Sequence, residues 1–292
     1  MTAVSAYSGS STGFGGLVGS LYYAGTENSY ASGDVTAASN AYVGGLIGGA
    51  LYQGDIRYSF ALGDVSGSGN VGGLIGRYAT GTGGSTIKID DSMAAGNVTG
   101  ASGAIGGLIG GFATDTSSKL QVNRSYAAGD VTGNNRVGGL VGKADAAMTV
   151  SGNQITESYA IGNVSVSSTM GGGLIGEVNN TGVSTLAVTR CYYNTGAVTG
   201  AGTAKGGFIG ATTSGASTIA ATANYWNNTI NSSLNDDSAG DLTGITGDTT
   251  TNLSTQSTYT GAGWVFSGGS QIWEGSGIPT LVWQFQIATV LQ

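Results

Sequence analysis

No histidine occurs anywhere in the 292 residues, and there is one cysteine and one proline. Each scarcity removes a class of chemistry. Without histidine, no imidazole serves as a base near neutral pH or activates a hydroxyl or thiol. The single Cys191 rules out a disulfide within the chain. With no histidine beside it, it reads as a small core residue, not as a nucleophile or redox centre. Charge is also scarce, with 9 Lys and Arg against 16 Asp and Glu. No basic cluster exists to follow a phosphodiester backbone, so nucleic acid is not an expected partner. The most apolar stretch, 281–291, is broken by Gln284 and Gln286 and is too short to span a bilayer, so no membrane insertion is expected. The first residues lack the basic start and apolar core of a signal peptide. The chain therefore reads as a piece of a longer exported protein.

What is abundant is glycine, 56 residues, and it is periodic. A Gly-Gly-apolar-apolar-Gly signature recurs seven times, beginning at Gly15, Gly44, Gly72, Gly106, Gly138, Gly172 and Gly206. A second signature lies between the copies. Ser29-Tyr30-Ala31-Ser32-Gly33-Asp34-Val35 is echoed at Ser59, Ser92, Ser125, Ser158 and Cys191, and decays at Asn224-Tyr225-Trp226. After a first step of 30 residues these anchors are 33 apart. A fixed period of this length marks a solenoid whose units bury their apolar faces only against their neighbours.

Helical periodicity is absent, and short alternating runs bounded by Gly, Asn, Ser and Thr read as strands. The expected fold is all-β: a right-handed parallel β-helix of about seven coils with a β-rich C-terminal cap. Three strand segments per coil are expected, with 71–76 as one of them. Repeats are assigned to residues 1–234 and the capping segment to 235–292. Val35, Val65, Val98, Val131, Val164 and Val198 form an inward ladder. The flanking columns, Asp34 to Ala197 and Thr36 to Thr199, then face outward by strand parity. Tyr30, Phe60, Met93, Tyr126, Tyr159, Tyr192 and Tyr225 form an aromatic column at a corner. The paired glycines mark a tight bend or a close approach of adjacent coils. The Trp-rich segment 264–283 is expected to cover the end of the core, with Trp283, Phe285 and Ile287 buried and Gln284 and Gln286 outside.

The pairing of GGLIG with SYAxGDVTG resembles the GLUG repeat of large bacterial surface proteins, including filamentous adhesins and non-catalytic regions of some immunoglobulin A-cleaving peptidases. The C-terminal Asn224-Tyr225-Trp226, Trp264, Trp273 and 278–283 resemble the unit that closes such arrays. The resemblance implies a secreted or cell-surface setting and a scaffold, and it implies no chemistry.

Candidate sites follow from what interrupts the repeat. Paired carboxylates are the first enzymatic idea, but Asp34, Asp64 and Asp130 follow the period and alternate with Asn, so no catalytic residue is assigned and the chain is not expected to be an enzyme. Asp236, Asp237 and Asp241 form an acidic loop that could hold Ca2+, against the simpler reading of an Asx-bonded turn. Tyr22, Tyr23, Tyr52 and Tyr78 could stack on sugar faces, against the reading that they close the N-terminal end of the core. The remaining variation lies in excursions at 21–27, 51–55, 77–85, 112–119, 143–154 and 177–184. The expected role is a stiff adhesive module that binds glycans, matrix or surface components of host or bacterium, or another copy of itself. A carbohydrate-binding module of an exported polysaccharide-active enzyme is the second reading, and an ice-binding solenoid a more distant one.

Overall fold

The computed structural model describes residues 13–38, 41–52, 54–80, 86–114, 118–146, 151–180, 185–213, 219–240, 242–268 and 271–284. Each repeat makes one coil of a parallel β-solenoid. In the third coil the strands are Val71–Gly72, Ile75–Thr80, Thr86–Asp90, Met93–Ala94 and Val98–Gly100. Equivalent strands of successive coils pair in parallel, so five sheets run along the rod. Six coils contain all five strands, and the seventh stops after its fourth, Asn224–Asn227. The architecture is therefore all-β with about six turns.

Five strands per coil replace the three read from the sequence because two corners were hidden. The first lies inside the Gly-Gly signature. Val71–Gly72 and Ile75–Thr80 are separate strands, and the backbone bends at Gly73 and Leu74. There Leu74 and Ile75 both donate their N–H to the carbonyl of Leu108 in the next coil. The glycines answer to close approach: a Cβ on Gly72 would lie 2.0 Å from the Ile75 carbonyl oxygen. One on Gly73 would lie 2.0 Å from the Gly107 oxygen and 2.7 Å from the Ala94 side chain across the core.

The second hidden corner precedes each Ser of the other signature. Asn28, Tyr58, Asp91, Arg124, Glu157, Arg190 and Ala223 all have φ between 46° and 56°. Left-handed backbone at non-glycine residues costs about 1–3 kcal/mol each, and a ladder of buried polar contacts offsets it. Ser59, Ser92 and Ser125 each donate a backbone N–H to the hydroxyl of the serine one coil on, at 3.1–3.2 Å. Each of those hydroxyls donates in turn to the carbonyl two residues back in its own coil. Cys191 holds the same place in the column, its thiol against the Thr189 and Ile155 carbonyls.

The core has the expected parity. The Val column is buried throughout, and Val131 is paired in register with Val98 and Val164. Asp130 and Thr132, on either side of Val131, are exposed. Near the C-terminal end the small inward column Ala61, Ala94, Ala127 and Ala160 gives way to Tyr193 and Trp226, which fill the core. Residues 228–240 and 242–248 then close that end. Phe208 and Ile209 donate to the Asp236 carbonyl, Ile245–Asp248 adds an eighth strand to the fourth sheet, and Leu234, Leu242 and Ile245 pack on the core.

The Trp-rich segment does not cover the end of the core. The chain after Asp248 contains two short helices, Thr250–Leu253 and Gln256–Thr260, and an antiparallel pair, Trp273–Glu274 with Thr280–Leu281. It runs back along the flank of the solenoid as a strap across the aromatic column.

Candidate functional site

The outward faces of the coils carry three ladders, and the first consumes the carboxylates that the sequence offered as a site. In the first, the Asp/Asn column bonds coil to coil. Asp34 Oδ1 accepts the Asp64 N–H at 2.9 Å, and the pattern repeats from Asp64 to Asn97, Asn97 to Asp130, Asp130 to Asn163 and Asn163 to Ala197. Only a side-chain oxygen is required, which is why Asp and Asn alternate freely. These carboxylates are acceptors for backbone, spaced one coil apart, and no pair of them flanks a cleft.

A second ladder stands at the left-handed corner. Arg124 makes a two-bonded pair with Asp91, at 2.7 and 2.8 Å, and Arg190 reaches Glu157 at 2.7 Å. The Asp91 hydrogen bond, with nearby acids, raises the Arg124 pKa against the cost of burial. Both acids are buried, so the pairs hold the corner in place. The sequence carried a signal for this ladder, the 33-residue recurrence of opposite charge, but without the corner geometry it could not be read.

The third ladder is aromatic. Tyr126 stacks on Tyr159 at 4.9 Å and Tyr159 on Tyr192 at 4.6 Å, within 7° of parallel. The strap covers them coil by coil. Trp264 Nε1 donates to the Ala223 carbonyl, Tyr225 to the Thr258 carbonyl and Tyr192 to the Pro279 carbonyl. Trp273 lies against both Tyr159 and Tyr192. Trp283 then reaches Tyr126 and Phe60 and donates to the Arg124 carbonyl at 2.9 Å. Burial holds the hydroxyls of Tyr159 and Tyr192 well above the ordinary phenol pKa. Gln284 is not an outward residue: it bonds Tyr126 and Tyr159, and its Oε1 accepts the Leu281 N–H. Phe285, Gln286 and Ile287 lie outside the described residues.

The four candidate tyrosines do not form one platform. Tyr22 and Tyr23 are exposed at 53% and 69%, adjacent at a corner of the first coil. Tyr78 is a core residue, 1% exposed, and its hydroxyl donates to the Gly54 carbonyl, so it offers no face to a sugar. The period explains why: Tyr78 is in register with Ala50 and Phe112, both buried. The side chain of Tyr52 lies outside the described residues.

In the acidic loop, Asp237 is buried and its Oδ1 accepts the N–H groups of Ala239 and Gly240 at 2.9 and 2.6 Å, the geometry of an Asx turn. Burial is the main cause of the raised Asp236 pKa. Asp241 lies outside the described residues. Among the described residues no three of His, Cys, Asp and Glu converge as a metal site. Cys191 is fully buried, and desolvation pushes its thiol pKa up to about 12, opposite to the shift a nucleophile needs.

No curated protein and no solved structure is significantly similar to the chain. The family model of the GLUG motif matches residues 10–36 and 39–66, the first two coils. The Gly-Gly and Ser-to-Asx signatures of those coils continue in register through the later ones. The chain carries GLUG repeats in its first two coils and is folded as a parallel β-solenoid.

Proposed function

We propose that the chain is a structural and adhesive module of a secreted or cell-surface protein, a stiff solenoid that presents its excursions and ends to glycans, matrix, surface components or another copy of itself. It performs no catalysis. One observation carries this reading: the Asx column, which recurs with the repeat, is spent on bonds between coils. A scaffold needs that economy, whereas a catalytic cluster would break the period. Exposed Tyr22 and Tyr23 favour sugar stacking as one mode of contact. Weak single contacts add up when many copies share a surface.

The test replaces each excursion in turn with a short Gly-Ser turn and measures adhesion of beads coated with the variants. Loss of adhesion in one or more folded variants is expected. Undiminished adhesion in all of them removes the loops as the binding elements, and turnover of any glycan or peptide by the parent overturns the non-enzymatic reading.

A further inference from the structure

The second sheet carries one outward column that departs from the repeat. In register it reads Gly49, Arg77, Gly111, Lys143 and Glu177. The next residues along each strand, Tyr78, Phe112, Ala144 and Val178, are buried in the core, which fixes this column as outward. Gly111, itself buried, thus lies between two cations, one coil away on either side, or about 5 Å in each direction.

The two glycines of the column differ in their surroundings. Gly49 lies under the Tyr42 ring, which would be 3.3 Å from an added Cβ. At Gly111 the atoms nearest an added Cβ would be the Ala104 methyl and the Asn70 Nδ2, each at 3.5 Å, an ordinary contact. Asn70 Oδ1 is occupied by the Ala104 N–H, leaving its amide group as the donor beside the notch. Arg136 completes a groove of about 220 Å³ above Gly111.

The cations differ as well. Arg57, Arg124, Arg136 and Arg190 each pair with a carboxylate. Arg77 has no carboxylate partner among the described residues. It is instead held by Tyr42, with Nη1 2.6 Å from the hydroxyl and the guanidinium 5.0 Å from the ring centre. Lys143 pairs with Asp145, a half-exposed contact worth little in water. Asp145 is also bonded by Asn179, and Glu177 by Arg136 and Thr213, so each acid is held by one groove cation and by a second donor, and Arg77 is the groove cation that no carboxylate among the described residues pairs. A chain of net charge −7 thus gathers three of its 9 cations around Gly111, with Asp145 as the one acid lining the same groove.

We propose that this groove binds an oxyanion carried by a glycan, the carboxylate of a uronic acid or a sulfate ester, seated over Gly111 between Arg77 and Lys143. Charge-assisted bonds from the preorganised guanidinium supply the affinity. The proposal narrows the glycan partner of the adhesive reading to acidic polysaccharides and rests on that reading only for the glycan carrier.

Binding of the purified chain to immobilised polygalacturonate, dextran sulfate and neutral dextran tests it. Binding to one or both acidic polymers and not to neutral dextran is expected, and which of the two binds identifies the anion. Gly111→Asp places an internal carboxylate in the notch. It should cut acidic-glycan binding at least tenfold while the melting temperature holds or rises, because its Cβ fits. Arg77→Gln should weaken binding likewise, and Lys205→Gln, on the first sheet, should not. Full binding by a folded Gly111→Asp or Arg77→Gln variant, or equal loss in Lys205→Gln, overturns the site. Self-association of the parent that Gly111→Asp abolishes would give the groove to a second copy and overturn the glycan assignment. If the parent binds neither acidic polymer yet its coated beads adhere, the groove fails and the adhesive reading stands.

Discussion

In the coils a residue meets its counterpart about 33 positions away, as Ser59 meets Ser92, whereas in the strap Trp283 meets Arg124, 159 positions earlier. The coils are a sum of near-identical neighbour contacts, so each coil depends on the one before and the one after. The strap has no periodic partner. It touches Tyr225, Tyr192, Tyr159, Tyr126 and Phe60 in turn, tying the seventh coil to the second. One sequence thus uses two ways to be stable: repetition, which is local and tolerant, and a single long aromatic contact that is neither.

Removing the strap gives the sharpest break in that comparison. Truncation after Asp248 should leave the coils paired but uncover the stacked tyrosines, producing a protein that aggregates and binds a hydrophobic dye. A soluble, dye-silent truncation melting as the parent does would show that the strap contributes nothing to the fold. Next in size is Val131→Asp, which buries an unpaired charge between Val98 and Val164 and should cost about 4 kcal/mol or more. Urea denaturation measures it. A cost under about 1 kcal/mol would show that the coil relaxes around the charge.

High pH should act on both regions at once. The Cys191 thiol, raised from 9.0 to about 12, and the Tyr159 and Tyr192 hydroxyls, raised well above 10.0, keep their protons in the fold and lose them in the unfolded chain. The folded state then binds more protons, so stability is fully present below pH 9 and declines as pH rises beyond it. Thermal melts across pH 7 to 11 check this, and a flat profile would place these groups in water. The smallest effect belongs to Asp130→Asn. The amide oxygen still accepts the Asn163 N–H, so the change should be less than about 0.5 kcal/mol. A large loss would mean that the charge matters and not the acceptor.

The coils were legible in the sequence because repetition multiplies weak evidence. One Val between two polar residues says little, but six in register fix the inside. The corners were not legible, since Asp91, Arg124 and Glu157 adopt left-handed backbone for reasons that lie in the serine ladder one coil away. Gly-Gly left bend and close approach undecided because glycine suits a strand's close neighbour as well as a turn. The strap was legible as a buried aromatic cluster but not in its placement: Trp content shows that something is covered, and only the chain's path shows what. Among site residues, Tyr78 was misplaced because it was read from its neighbourhood of tyrosines and not from its column with Phe112. The groove over Gly111 escaped notice because Arg77, Gly111 and Lys143 are far apart in sequence and adjacent only in register.

The strap also acts as a ruler. Arrays of this kind lengthen readily, since one more 33-residue copy only adds another neighbour contact. Here such a duplication between Arg124 and Ala223 would displace one anchor of the strap from the other by about 5 Å. Trp264 and Trp283, held on the Ala223 and Arg124 carbonyls, could not both keep their bonds. Repeat number is thereby subject to a check that no single coil imposes. Genetic drift by whole copies, harmless in an open array, becomes visible here as a strap that no longer reaches.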